Sequence, residues 1–123
     1  MKTFFISTQK PPDLVSLYQY NGDAIVQLIN GDQFQGTFED GQRSGPGKLT
    51  FGTANRKKFE LDYIEGTYEK EILEGTVTIT YTSGEKMVCE VVNGVQHGPA
   101  KLFDSKGNLM QVLAQSSTYA FIL

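Results

Sequence analysis

The sequence contains a single cysteine, no tryptophan and no long apolar run. Because Cys89 has no second cysteine to pair with, we expect a reducing intracellular compartment rather than a secreted, disulfide-bonded domain. The early apolar run Phe4-Phe5-Ile6 is shorter than the roughly 7 residues of a signal-peptide core. No stretch approaches the roughly 18 apolar residues of a membrane helix. The sequence therefore predicts a soluble, unprocessed chain.

Basic charge is also scarce. The chain has 11 lysines and arginines against 14 aspartates and glutamates, a formal net charge of -3. Binding along a nucleic acid requires a basic face that displaces counterions, so we expect no direct nucleic-acid binding. An acidic surface remains suited to a basic protein segment.

Groups capable of covalent or metal chemistry are few. His97 is the only histidine and Cys89 the only cysteine. Acid–base catalysis by His97 requires a positioned partner, and a structural metal requires about four ligands. We interpret Cys89 as a small buried side chain and His97 as part of a turn. The prediction is no catalytic residue, no metal and no cofactor.

Glycine, in contrast, is abundant and recurs in a pattern. The first copy reads Phe34-x-Gly36-x-Phe38-x-x-Gly41-x-x-x-Gly45-x-Gly47-x-Leu49-x-Phe51. The second reads Ile64-x-Gly66-x-Tyr68-x-x-Glu71-x-x-x-Gly75-x-Val77-x-Ile79-x-Tyr81. The third reads Met87-x-Cys89-x-Val91-x-x-Gly94-x-x-x-Gly98-x-Ala100-x-Leu102. The copies start 30 and then 23 residues apart, so seven extra residues lie between Phe51 and Ile64.

Each half-copy alternates with period two, which is the geometry of a strand with one buried face. The sequences Asp40-Gly41 and Asn93-Gly94 lie between the halves and are typical of tight hairpin turns. A lone hairpin is marginal in water, so successive hairpins must share a core. The prediction is an all-β fold: an antiparallel, single-layer stack of β-hairpins in an open meander. Phe34, Phe38 and similar rings are expected to stack over glycines.

Partial copies flank the three full ones. Gly22-x-Ala24-x-Val26-x-Leu28 matches a second half, and Met110-x-Val112-x-Ala114 begins a first half. We therefore divide the chain into a leader over 1–21, a repeat domain over 22–114 and an irregular apolar tail over 115–123. Within the leader, Leu14 to Tyr20 is expected to add a strand.

The glycine and aromatic pattern resembles the MORN repeat (membrane occupation and recognition nexus) over residues 22–114. The resemblance implies a stack of hairpins used for binding or regulation. A narrower resemblance, to the N-terminal MORN region of a SET-domain histone lysine methyltransferase, is carried by Gly98-Pro99-Ala100 and Phe103-Asp104-x-x-Gly107-x-Leu109. It implies a nuclear, chromatin-associated protein, and otherwise we expect a cytoplasmic one. SET enzymes bind S-adenosylmethionine through an Asn-His motif, which this sequence lacks.

We therefore expect a noncatalytic interaction or regulatory module, with no enzyme activity of its own. The first alternative is the regulatory segment of an S-adenosylmethionine-dependent lysine methyltransferase, and the second is a peripheral phospholipid-binding module. Two charged groups are candidates for partner binding, although each also fits a solvated face. An acidic group could bind a basic, histone-like peptide: Glu65, Glu69, Glu71 and Glu74. A basic group at a protruding hairpin tip could contact anionic lipid: Arg56, Lys57 and Lys58.

Overall fold

A computed structural model describes residues 1–6 and 19–113, and these form ten strands and one short helix. The elements are β1 (Lys2–Ile6), β2 (Gly22–Leu28), β3 (Gln33–Glu39), β4 (Gln42–Thr50), α1 (Thr53–Phe59), β5 (Leu61–Glu69), β6 (Ile72–Tyr81), β7 (Lys86–Val92), β8 (Val95–Gln96), β9 (Ala100–Phe103) and β10 (Leu109–Leu113). They form one sheet in the order β1-β2-β3-β4-β5-β6-β7-β9-β10, with β8 beside β7. The predicted all-β, open antiparallel sheet is confirmed.

The N-terminal strand differs from the rest. β1 pairs with β2 in the parallel direction, with Phe4 opposite Val26, whereas every other pairing in the described residues is antiparallel. The structure thus places a leader strand at Lys2–Ile6, earlier than the expected Leu14 to Tyr20. Residues 14–18 of that expected strand, and the tail over 115–123, lie outside the described residues.

One end of the sheet carries the tight hairpin turns. Both central residues of each turn have positive φ, as two-residue hairpins require: Asp40-Gly41, Lys70-Glu71 and Asn93-Gly94. The backbone N–H of the second residue also donates to the segment on the N-terminal side of the hairpin, from Gly41 to the Tyr20 carbonyl before β2 at 2.9 Å and from Gly94 to the Leu73 carbonyl of β6 at 2.8 Å. These bonds connect each hairpin to the preceding part of the sheet without any side chain.

The opposite end of the sheet carries the turns between hairpins. Each is closed by one backbone hydrogen bond of 2.9 Å, and the donor and acceptor recur at the same repeat positions. The bonds run from Leu28 to Asp32, Phe51 to Asp62, Tyr81 to Glu85 and Asp104 to Asn108. The second turn contains seven more residues than the others, which equals the length of α1. The insertion therefore leaves the closure of the turn intact.

The helix α1 corrects one expectation. Arg56, Lys57 and Lys58 lie on a seven-residue helix between two hairpins, and the predicted hairpin tip is wrong. Alanine, arginine and lysine favour helix, and α1 ends where Glu60 adopts the left-handed conformation at φ 57°. Its start is fixed by the buried Asp32, whose Oδ1 accepts the Gly52 N–H at 2.8 Å and whose Oδ2 accepts the Asn55 amide at 2.9 Å.

One face of the sheet, here the inner face, carries the buried side chains, including Val26, Phe34 and Leu49. At its centre Gly36 faces Gly47 across β3 and β4, and Gly47 faces Gly66 on β5. The ring of Phe34 lies over the first two glycines, because a Cβ on Gly47 would lie 2.5 Å from Phe34 Cζ. The two glycines therefore leave the backbone uncovered by a side chain, and the aromatic ring lies directly against it.

Farther along the sheet, aliphatic side chains replace the rings and glycines. Val77 pairs with Cys89 on the next strand, and both are buried. Leu73 lies over Gly66, where a Cβ would approach within 2.7 Å of Leu73 Cδ2. Burial raises the pKa of the Cys89 thiol, with a smaller contribution from Glu90. At the inner-face glycine positions of the first copy, the later copies carry the buried side chains Val77, Cys89 and Ala100. Ile64 and Met87 take the place of the Phe34 ring there and leave room for these side chains.

We expect Gly47→Ala to lower the free energy of unfolding by about 1–3 kcal/mol, because the added methyl group would overpack the Phe34 ring. In an unobstructed strand the same change would instead stabilise by about 0.5–1 kcal/mol. Urea unfolding followed by circular dichroism measures the difference. Gln35→Ala, on the exposed face of β3, is the control and should change stability by less than about 0.5 kcal/mol. Equal effects of the two substitutions would show that the glycine is not packed under the ring.

Candidate functional site

A cavity beside α1 is the site that sequence reasoning missed. It has a volume of about 540 Å³ and combines an apolar floor with two carboxylates. We call it the acidic groove, and its main residues are Glu60, Tyr81, Glu85, Met87, Leu102 and Leu113. In size it falls within the usual range for ligand sites, roughly 300–1,000 Å³.

The floor of the acidic groove is built where the second copy of the repeat meets the third, with Leu113 of β10 beside them. Met87 holds the repeat position that Phe34 has in the first copy, and its partly buried side chain packs against the core. The Tyr81 hydroxyl lies 3.9 Å from the Met87 sulfur. Burial raises the pKa of Tyr81, with smaller contributions from Cys89 and Glu85, so its phenol is neutral at physiological pH. The floor is therefore apolar and uncharged.

The backbone positions the two carboxylates. Glu60 follows α1, where its N–H donates to the Arg56 carbonyl at 2.8 Å and its own carbonyl accepts the Thr82 N–H at 2.9 Å. Glu85 closes the β6–β7 turn through its carbonyl. Among the described residues neither carboxylate takes part in an ion pair. Glu85 has the repeat position of Asp32, but Asp32 is buried against α1 whereas Glu85 lines the groove.

The predicted acidic group lies on the β5–β6 hairpin, and two of its members make internal contacts. The Glu71 carboxylate pairs with Arg43 Nε at 2.7 Å and accepts the Arg43 backbone N–H. Glu74 Oε1 accepts the Asn93 backbone N–H at 2.8 Å. Both carboxylates therefore connect neighbouring hairpins, and partner binding by either stays a prediction.

The other two glutamates, Glu65 and Glu69, lie exposed on the outer face, opposite the inner face. Glu65 lines a shallow groove of about 390 Å³. Lys48 faces Glu65 across β4 and β5, and its Nζ lies 3.9 Å from the centre of the Tyr63 ring. The outer groove therefore mixes both signs of charge, unlike the acidic groove.

Arg43 is a structural residue that the sequence pattern did not reveal. Its guanidinium carbon lies 4.3 Å from the Tyr68 ring centre and 5.2 Å from that of Phe34, and the side chain is only 18% exposed. Burial raises the pKa of Tyr68, while Arg43 opposes the shift. Leu73 and Gln96 occupy the same repeat position, so no shared residue type marks it. Its guanidinium covers the neighbouring rings of Phe34 and Tyr68.

The predicted basic group lies on α1 and is exposed. Arg56 pairs with Asp62 at 2.6 Å, and Lys58 Nζ lies 5.1 Å from the centre of the exposed Phe59 ring. Exposed Ile29 lies in the β2–β3 turn, which Asp32 joins to α1. Charge and apolar surface therefore occur together at this end of the sheet.

Comparison with known families identifies one of the copies. Residues 34–56 match the model of the MORN repeat. The matched MORN repeat covers most of the β3–β4 hairpin and the first residues of α1, and it contains the Phe34 ring and the glycines beneath it. A search of curated proteins found no match. The chain therefore carries a MORN repeat within a larger sheet of similar hairpins.

Metal-binding and membrane-spanning features were sought in the described part of the chain. Over residues 1–6 and 19–113, no three or more His, Cys, Asp or Glu side chains cluster in a way that could hold a metal. Over the same residues, no helix has the length and apolar character needed to cross a bilayer. His97 is exposed after β8, whereas Cys89 is buried on the inner face.

Proposed function

We propose that this chain is a noncatalytic protein-interaction module that binds a basic peptide segment with an apolar anchor in the acidic groove. The supporting observation is the pairing of an apolar floor with two carboxylates, Glu60 and Glu85, that lack ion pairs among the described residues. The MORN repeat supports the broader assignment to repeat-containing interaction modules.

The groove offers two contributions to binding. An apolar side chain seated on Met87, Leu102 and Leu113 is removed from water, which contributes roughly 25 cal/mol for each Å² buried. Lysines on either side of that anchor face Glu60 and Glu85, and such rim charges mainly increase the association rate and the specificity. The overall net charge of -3 also attracts a basic segment. The partner is thus a basic segment with an apolar residue within it.

The groove is also preorganised. β6, β7, β9 and β10 belong to one hydrogen-bonded sheet, and backbone hydrogen bonds hold Glu60 beside the β6–β7 turn. A rigid site loses little conformational entropy when a peptide binds. Most of the conformational entropy lost on binding is therefore lost by the peptide and not by the sheet.

We expect the fluorescein-labelled peptide Lys-Lys-Leu-Lys-Lys to bind the full chain in fluorescence anisotropy, and Lys-Lys-Ser-Lys-Lys to bind more weakly because it lacks the anchor. The double substitution Glu60→Lys, Glu85→Lys should weaken binding by about tenfold or more. Glu65→Lys, Glu69→Lys on the outer face makes the same change in net charge and is the matched control. Added salt should weaken the charged contribution and leave the leucine preference.

Equal losses from the two double substitutions would reject the groove as the site, since net charge alone would then explain binding. Thermal unfolding of each variant checks that the fold is retained. The same peptide incubated with radiolabelled S-adenosylmethionine and the chain should acquire only background label. Transfer of label to the peptide would reject the noncatalytic proposal.

A finer form of the proposal is that the chain regulates a SET-type histone lysine methyltransferase on chromatin, with a histone tail as the basic segment. Its support is the resemblance over Gly98-Pro99-Ala100 and the turn after Phe103. In that turn Asp104 Oδ1 accepts the backbone N–H groups of Lys106 and Asn108 at 2.9 and 2.8 Å. These bonds lower the pKa of Asp104 and make the turn compact.

Lipid binding is a second candidate, favoured by the exposed Phe59 beside Lys58 on α1 and by the exposed Ile29 in the turn that Asp32 joins to the start of α1. Each lysine near an anionic surface contributes about 1 kcal/mol, and an exposed aromatic ring suits the bilayer interface. In this alternative α1 contacts the headgroups. Because the patch is small, the binding would be weak and reversible.

For this second candidate, we expect flotation with phosphatidylserine-containing vesicles but not with phosphatidylcholine vesicles. Lys57→Glu, Lys58→Glu should abolish flotation, because anionic headgroups would then repel α1. Lys86→Glu, Lys101→Glu, on exposed strand positions, changes the net charge equally and should have a smaller effect. If both pairs reduce flotation alike, α1 is not the contact.

A further inference from the structure

The helix α1 and the acidic groove are neighbours on one side of the sheet. Glu60, which follows α1, lines the groove. The Asp32 side chain holds the start of α1, and Glu85, which has the repeat position of Asp32, lines the groove. Each of these two carboxylates lies two residues before a side chain of the inner face, Phe34 and Met87 respectively. The start of α1 and the groove therefore both lie on the side of the inner face.

The exposed side chains of α1 have the chemistry that the groove is suited to bind. Phe59 is 53% exposed, and Lys57 and Lys58 beside it are exposed as well. Among the described residues neither lysine takes part in an ion pair, whereas Arg56 pairs with Asp62. The helix therefore presents two unpaired lysines and an apolar ring, which together form a basic segment with an apolar anchor.

The helix cannot fill the groove of its own chain, because backbone hydrogen bonds fix it at the rim. The Glu60 N–H donates to the Arg56 carbonyl at 2.8 Å, and the Glu60 carbonyl accepts the Thr82 N–H at 2.9 Å. Lys58 Nζ instead lies 5.1 Å from the centre of the Phe59 ring, which is exposed to solvent. Each chain therefore carries a basic, apolar protrusion beside an acidic, apolar groove, and the two are held apart.

A two-fold axis between α1 and the groove brings each of them against its counterpart in a second copy. From this complementarity of charge and apolar surface we infer, on the strength of the function proposed for the groove, that two copies of the chain associate through reciprocal contacts between α1 and the acidic groove. Phe59 of each copy lies over the apolar floor of the other, where the cavity of about 540 Å³ has room for one aromatic side chain. Lys57 and Lys58 approach the carboxylates of Glu60 and Glu85.

This arrangement closes on itself and regulates the groove. A reciprocal contact uses α1 and the groove of both copies, so no third copy can add to it. The two copies carry the same net charge, and the contact on each side is one short helix, so we expect a weak and reversible dimer. A basic peptide must displace the second copy to enter the groove, and self-association therefore competes with peptide binding.

Sedimentation equilibrium of the full chain tests the dimer. We expect wild-type protein to approach twice the 13.6 kDa mass of one chain as its concentration rises. Phe59→Ser should raise the dimer dissociation constant by about tenfold or more, since the buried apolar anchor is lost from both contacts. Ile72→Ser removes an apolar side chain that is 44% exposed on β6 and lies outside the groove, so this matched control should leave dimerisation unchanged.

A charge exchange tests which surfaces meet. The helix variant carries Lys57→Glu and Lys58→Glu, and the groove variant carries Glu60→Lys and Glu85→Lys. Each variant alone should be monomeric, because like charges then face each other at both contacts. Mixed in equal amounts, the two should form a heterodimer, since the acidic helix faces the basic groove and the unchanged helix faces the unchanged groove. Thermal unfolding of each variant checks that the fold is retained.

Attraction between opposite net charges needs its own control. The variant Glu65→Lys, Glu69→Lys, Phe59→Ser has the same net charge as the groove variant, but it keeps an acidic groove and lacks the anchor. Mixed with the helix variant, it should stay monomeric. Association of this mixture as strong as that of the charge-exchanged pair would overturn the inference, because net charge alone would explain it.

The outcome also separates the dimer from the proposed function. Wild-type protein that stays monomeric while Lys-Lys-Leu-Lys-Lys binds in the groove would overturn the inference and leave the proposed function standing. A dimer that persists in both variants, or a mass that rises beyond two chains, would overturn it as well. A dimer that follows the charge exchange, although the basic peptide does not bind, would support the inference and reject foreign peptides as the occupants of the groove.

Discussion

The packing of the Phe34 ring against bare backbone determines how the hairpins fit together. The ring lies over Gly36 and Gly47, and it meets the Tyr68 ring of the next hairpin edge to face at 5.4 Å. Arg43 covers both rings. A side chain at either glycine would separate ring from sheet. The absence of two Cβ atoms is thus what allows one aromatic residue to join two hairpins.

Backbone hydrogen bonds make the other connections between neighbouring parts of the sheet. Each tight turn donates a backbone hydrogen bond to the part of the sheet that precedes its hairpin, and each connecting turn is closed by the same bond, whatever its length. Because the carbonyl and N–H groups carry this pattern, the side chains at the turns are free to differ. This freedom allows the chain to insert α1 and to place Asp32 and Glu85, which share a repeat position, in different roles.

The hairpins could be predicted from sequence because alternation and turn chemistry are local. Asp40-Gly41 and Asn93-Gly94 indicate their turns, whereas Lys70-Glu71 adopts the same positive φ values without glycine. That turn costs free energy locally, and the Glu71 contact with Arg43 holds it against the neighbouring hairpin. The helix α1 was missed because seven residues are too few to display a helical period. The acidic groove was missed because it depends on which side chains leave space between strands distant in sequence.

The account depends on neighbouring hairpins sharing their aromatic rings, and a double-mutant cycle tests this most directly. Phe34→Leu, Tyr68→Leu and the double variant would be compared by urea unfolding. We expect a coupling free energy of about 0.5–1.5 kcal/mol between the two rings, since they interact edge to face across the hairpins. Additive losses, within about 0.3 kcal/mol, would contradict the account and indicate that each hairpin is stabilised independently.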